Sequence, residues 1–163
     1  MKNNFFLTIT LLIFVGIIFV FFFNKEKVLL TTQTETFEPK CGEYIKKEIV
    51  LGGQTITAEV SDSDCKRELG LSGRKLLKNN EGMLFVFEKE GEEIFWMKDM
   101  NFPIDIVWVG SDFNVVGIKR NASPETYPSF FGQGFLSKYV LELPAGFCDK
   151  NNIKVGNKIF ISE

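Results

Sequence analysis

The sequence predicts a mainly β domain, an antiparallel sandwich or partly closed barrel of about eight short strands with one or two short helices, behind an N-terminal transmembrane helix. Three observations lead there. Residues 5–23 are apolar almost without interruption, apolar residues alternate in short runs from residue 44 onward, and glycine-rich or charged turn segments separate those runs. At 163 residues the chain has room for one domain and a small appendage. It divides into an anchor at 1–24, a polar tether at 25–43 and a β domain at 44–163.

Residues 5–23, beginning at Phe5 and ending at Phe23, are broken only by Thr8, Thr10 and Gly16. As a helix they span roughly 28 Å, close to the hydrocarbon thickness of a bilayer. Backbone groups in lipid must be satisfied within the segment, so a helix is the form expected. The run ends in Phe21, Phe22 and Phe23 with no small-residue cleavage site, which favours an uncleaved anchor over a removed signal peptide. Lys2 on one side and Lys25 and Lys27 on the other nearly balance. The reading taken is a single-pass membrane protein with its C-terminal domain exported. The tether carries Thr31, Thr32, Gln33, Thr34, Glu35 and Thr36, a polar stretch with neither hydrophobic period.

Within the domain, residues 49–51 and 54–60 flank Gly52 and Gly53, two residues suited to the positive φ angles of a primed hairpin turn. Residues 83–87 and 93–97 flank the charged stretch 88–92, and 104–109 and 114–119 flank 110–113, giving a second and a third expected hairpin. Further strands are expected at 139–143 and 158–161. Short helices fit 62–69, capped by Ser61 or Asp62 and ended by Gly70, and 72–77. Residues 121–137 hold Pro124, Pro128, Gly132 and Gly134 and read as a long loop, of a length often tied to function.

Composition excludes several function classes. There is no histidine, which removes imidazole bases, His-dependent triads and His-based metal sites. A formal net charge of −2 leaves no basic patch for nucleic acid, and no cofactor motif occurs. With three cysteines, Cys41, Cys65 and Cys148, one intramolecular disulfide at most can form. Cys65–Cys148 is the preferred pairing, since both lie inside the domain, and no two cysteines are close enough in sequence for a metal knuckle.

Four charged residues fall where strand patterns leave little water. Asp105 lies between Ile104 and Ile106 and should share a face with Val107 and Val109; Glu142 lies between Leu141 and Leu143. Lys98 follows Phe95, Trp96 and Met97, and Arg74 closes a Gly-Leu-Ser-Gly-Arg turn. Unpartnered buried charge is costly, so these groups must pair or open onto a cavity. One reading has Arg74 and Lys98 meeting Asp105 and Glu142 at the rim of a concave site walled by Trp96, Met97 and Tyr139, which would bind a small polar ligand. The other has the charges locking the fold as a structural network, with Asp105 neutralising Arg74 or Lys98. A two-carboxylate reaction drawing on Asp99, Asp105 or Glu142 is a third possibility, with no spacing rule to support it.

The segments Gly70-Leu71-Ser72-Gly73-Arg74, Gly82-Met83-Leu84-Phe85-Val86-Phe87, Phe95-Trp96-Met97-Lys98-Asp99-Met100, Pro103-Ile104-Asp105 and Tyr139-Val140-Leu141-Glu142-Leu143-Pro144-Ala145-Gly146 occur in this order. In them the chain resembles DUF192, a bacterial and archaeal domain of unknown function, over residues 55–161. The resemblance implies a mainly-β sandwich, often behind a signal or anchor, and implies no activity. Asn157 departs from the family's closing Gly-Asp and leaves no carboxylate there. The function expected is therefore a membrane-anchored, exported, non-catalytic ligand-binding or interaction module, its partner a small polar ligand or an envelope protein; the alternative is an enzyme using Asp105 or Glu142.

Overall fold

In a computed structural model the described residues are 41–162. The expected anchor and most of the tether lie outside them; among the described residues no helix is long and apolar enough to cross a membrane. The elements are β1 (Lys46–Leu51), β2 (Gln54–Ser61), α1 (Asp64–Leu69), β3 (Glu81–Glu92), β4 (Ile104–Val109), β5 (Val115–Ala122), a 3-10 turn (Pro124–Thr126), β6 (Leu136–Pro144), α2 (Phe147–Lys150) and β7 (Phe160–Ile161).

Seven strands form one sheet in the order β5-β4-β6-β3-β2-β1-β7. The sheet curls until its two edges meet at one end. There Asn114 bridges Lys158, Val115 N donates to Asn157 O at 2.8 Å and Ile159 N donates to Phe113 O at 2.9 Å. The result is a half-barrel made of a single sheet, not a two-sheet sandwich.

Strand alternation sorts the apolar residues onto two faces. Ile49, Leu51, Ile56, Ala58, Leu84, Val107, Val109, Leu141 and Leu143 fill the inside of the curl together with Phe147 and Ile153. Met83, Phe85, Ile104, Ile106, Trp108 and Val140 project outward. β4 is buried along its whole length because both faces are covered. The outer cover is a layer from two non-sheet segments, with Phe95, Met97 and Met100 from one and Phe131 and Phe135 from the other. It closes on Trp108, whose Nε1 donates to Glu93 O at 2.7 Å while Phe95 meets its ring edge-on. Gly132 permits that approach: at φ 109°, a Cβ there would lie 2.4 Å from Glu93 O and 2.8 Å from Trp108 Nε1.

The β1–β2 hairpin turns on Gly52 and Gly53, at φ 60° and 76°, and places Ile56, Ala58 and Val60 on the buried side as expected. The β4–β5 hairpin also forms where expected. The second expected hairpin does not. β3 runs through the charged stretch as one 12-residue strand, and residues 93–97 leave the sheet, Phe95 forming an isolated bridge to Phe131 instead. The place beside β3 goes to β6, whose Val140, Leu141 and Leu143 can bury both faces of a central strand. β3 also runs parallel to β2, because α1 and the loop after it carry the chain back to the start of the sheet. α1 begins at Asp64 with Ser63 as its N-cap, and residues 72–77 form a loop held to residues 98 and 99 through Ser72 Oγ and Gly73 N.

The disulfide joins Cys41 to Cys65, not Cys65 to Cys148. Cys148 is a buried free thiol on α2, out of reach behind the inner core. Burial, and then the Asp105 carboxylate beside it, push its pKa up to about 12. Alkylation of the unfolded, unreduced protein is therefore expected to modify Cys148 alone and the folded protein nowhere; a linked peptide containing Cys148 would refute this pairing. Across the separation of 24 residues, Cys65→Ser is expected to cost about 3 kcal/mol in chemical denaturation through the freedom regained by the unfolded chain.

Candidate functional site

Along the outer face one row of the sheet is not wholly apolar. In register, Ile106, Glu142, Met83 and Glu59 stand side by side across β4, β6, β3 and β2. Glu142 is 5% exposed, and its Oε2 has no hydrogen-bond partner among the described residues. Burial raises its pKa to about 8, against an opposing pull from the nearby Arg74 guanidinium. Arg74 Nη2 donates to Glu59 Oε2, and the guanidinium lies 5.7 Å from the Tyr44 ring. Burial thus favours the neutral acid at Glu142, which stands behind an ion pair that already satisfies Glu59.

Glu142 backs a recess of about 40 Å³ lined also by Arg67, Ser72, Phe85, Phe95, Trp96 and Lys98. The adjoining cleft, about 630 Å³, shares Arg67, Ser72, Trp96 and Lys98 with the recess. The Cys41–Cys65 disulfide, Glu68, Leu69, Ile94, Asp99 and Phe130 make up the rest of its wall. Trp96 and Phe130 supply its aromatic wall, stacked on one another with rings 17° from parallel and centroids 5.4 Å apart, and Tyr127 leans on Trp96 at 5.6 Å. Lys98 Nζ lies 5.6 Å from the centre of the Trp96 ring. Arg67 is engaged with Asp64 Oδ1 at 2.6 Å and the Val86 carbonyl at 2.8 Å.

Of the residues singled out in the sequence, the structure brings Arg74 to Glu142, and Trp96 to Lys98. Asp105 is elsewhere. β4 pairs with β6 so that Ile106, not Asp105, lies opposite Glu142, and Asp105 therefore points into the curl. There its carboxylate accepts from Asn121 N at 2.8 Å, Gly146 N at 3.2 Å and Cys148 N at 2.8 Å. It ties the end of β5 to the α2 turn and meets neither Arg74 nor Lys98. Tyr139 also faces inward, stacked on Phe113 at 5.3 Å, and Met97 is buried in the cover layer away from the cleft.

Sequence reasoning passed over Glu59, Arg67 and Phe130. Glu59, between Ala58 and Val60, carries the same signal that marked Glu142. Phe130 lies in the long loop already marked as functional, and nothing local distinguishes Arg67.

A family model described as uncharacterized ACR, DUF192, matches residues 47–161. The chain belongs to the DUF192 family. No curated protein matches it. Two solved structures resemble this DUF192 domain. One, from Sinorhizobium meliloti and described as a "putative transcription regulator", is 29% identical, with a TM-score of 0.69 over 73% of this chain and 95% of its own. The other, a protein of unknown function from Novosphingobium aromaticivorans, is 26% identical, with a TM-score of 0.67 over 77% of this chain and 91% of its own. The DUF192 match takes in Glu59, Arg67, Arg74, Trp96, Lys98, Phe130 and Glu142, so the cleft is built from family sequence except for Cys41.

Proposed function

We propose that this protein is a non-catalytic binding module, held at the membrane by residues 5–23 with its DUF192 domain on the extracytoplasmic side, and that its ligand occupies the cleft beside the disulfide. The observation that carries the reading is the buried Glu142 carboxyl, its Oε2 without a hydrogen-bond partner among the described residues, at the back of a recess opening beside half-exposed aromatic rings. An unsatisfied buried polar atom costs the fold about 1–3 kcal/mol, a cost a structural role does not explain and a ligand's hydrogen bond repays. The cleft's size falls within the range of small-molecule sites. Because Asp105 and Glu142 project from opposite faces, one substrate cannot reach both, and that pair cannot serve a two-carboxylate reaction. The weakly acidic composition supplies no electrostatic attraction for nucleic acid. The disulfide suits an exported domain.

Two measurements test the reading. The full chain expressed in cells should stay in the membrane pellet after alkaline wash and be cut by protease added outside; a soluble or protected chain would contradict the placement. Thermal unfolding of the full chain across a small-metabolite panel should show at least one concentration-dependent rise in Tm, lost in Trp96→Ala. A panel without such a rise would contradict the site.

A further inference from the structure

The makeup of the cleft wall restricts which ligands can be bound. Trp96 and Phe130, 42% and 51% exposed, stand in the wall stacked on one another, and Tyr127, 46% exposed, leans on Trp96. The π faces of these rings are negative and attract the weakly positive C–H groups on the flat side of a saturated ring. The polar groups of the wall are mixed in sign, with Arg67 and Lys98 against Glu68 and Asp99. Such a wall offers donors and acceptors in alternation and no net charge.

An anionic ligand is disfavoured. Arg67 already serves Asp64 and a backbone carbonyl, Arg74 serves Glu59, and two carboxylates stand in the wall. A cationic ligand would meet Lys98. At the back, Ser72 Oγ, which donates to the Lys98 carbonyl at 3.0 Å, keeps its acceptor capacity, and Glu142 presents an Oε2 with no hydrogen-bond partner among the described residues. Apolar stacking on one side and exchangeable hydrogen bonds on the other are the complement of a pyranose.

We infer that the cleft takes a neutral saccharide, one sugar face packed against the Trp96–Phe130 stack and its hydroxyls bonded by Lys98, Asp99 and, at the recess, Ser72 and Glu142. This rests on the binding reading above and specifies the ligand class. Maltotriose, cellotriose and tri-N-acetylchitotriose serve as neutral probes, with digalacturonate and adenosine as acidic and planar aromatic ones. Isothermal titration calorimetry is run on the full chain in a zwitterionic detergent, because a glycosidic detergent would itself compete.

The expected result is binding of at least one neutral trisaccharide, weakened at least about tenfold in Trp96→Ala and changed only about twofold in Trp96→Phe. Trp96 is half exposed, so both variants should keep the near-ultraviolet circular dichroism of buried Trp108. Binding of digalacturonate or adenosine alone, if sensitive to Trp96→Ala, would overturn the saccharide class and leave the binding reading standing. Trisaccharide binding indifferent to Trp96→Ala would overturn the site. Failure of all five probes would overturn the saccharide inference, while a Trp96-dependent rise in Tm from another metabolite would still uphold the binding reading.

Discussion

Asp105→Ala is expected to destabilise the domain by about 3–5 kcal/mol, the largest loss from any single side chain considered. The carboxylate accepts three backbone N–H groups, from Asn121, Gly146 and Cys148, in a place water does not reach. Alanine would leave all three donors unmatched, and each buried orphan costs about 1–3 kcal/mol. It would also loosen the α2 turn from β5, leaving Arg120, which donates to Asp149 Oδ1 and to the Ile153 carbonyl, to hold the two together. Asp105→Asn keeps one acceptor oxygen and turns an NH2 toward the remaining donors, so an intermediate loss is expected. Guanidinium unfolding of the two variants would show this order. A loss below about 1 kcal/mol for alanine would mean the three bonds do not hold the turn.

Glu142→Gln is expected to act in the opposite direction and to depend on pH. With the folded pKa raised to about 8 from an ordinary 4.5, the native state keeps a proton that the unfolded chain gives up. Below pH 4.5 both states are protonated and burial carries no ionisation penalty. Between 4.5 and 8 the unfolded state binds fewer protons, so stability falls as pH rises, by about 1.4 kcal/mol per unit. Above 8 the full penalty is in place. Glutamine is neutral throughout, so its advantage over the wild type should grow across that window to about 5 kcal/mol at most.

The groups facing Glu142 limit the effect without reversing it. Arg74 favours the ionised form, Glu59 ties up much of that guanidinium, and Arg67, Glu68 and Lys98 stand along the more open wall of the recess. Glu93, raised by its own burial, changes stability in the same sense. For that reason the quantity to measure is the difference between wild type and variant in unfolding free energy at pH 5, 6, 7 and 8. Parallel curves would place the carboxyl in water and remove the argument for a neutral acid in the recess.

Strand alternation, read residue by residue, correctly placed Asp105 with Val107 and Val109, and the Gly52-Gly53 turn with Ile56, Ala58 and Val60 on one face. These are local properties: side chains alternate along any strand, and positive φ at two successive residues favours glycine. What alternation within a strand cannot supply is the phase of one strand against another. Asp105 and Glu142 look alike in sequence, each a carboxylate between two aliphatic residues, yet pairing Ile106 with Glu142 sends them to opposite faces. The expected meeting of four charges failed on that register, and the Cys65–Cys148 pairing failed on the same kind of distance information.

The sequence by itself determined a β domain with its turns, the charged positions that burial would make costly, and membership of a family. The first two follow from backbone geometry and hydrophobic period, which act over a few residues at a time, and the family from the order of its motifs. The tertiary structure alone decided that β6, not residues 93–97, lies beside β3; that the sheet closes on itself; and that Trp96 and Phe130, 34 residues apart, stack in one cleft wall. Each depends on which of several similar apolar strands gains most from burial on both faces, a competition settled across the whole core and not written at any one position.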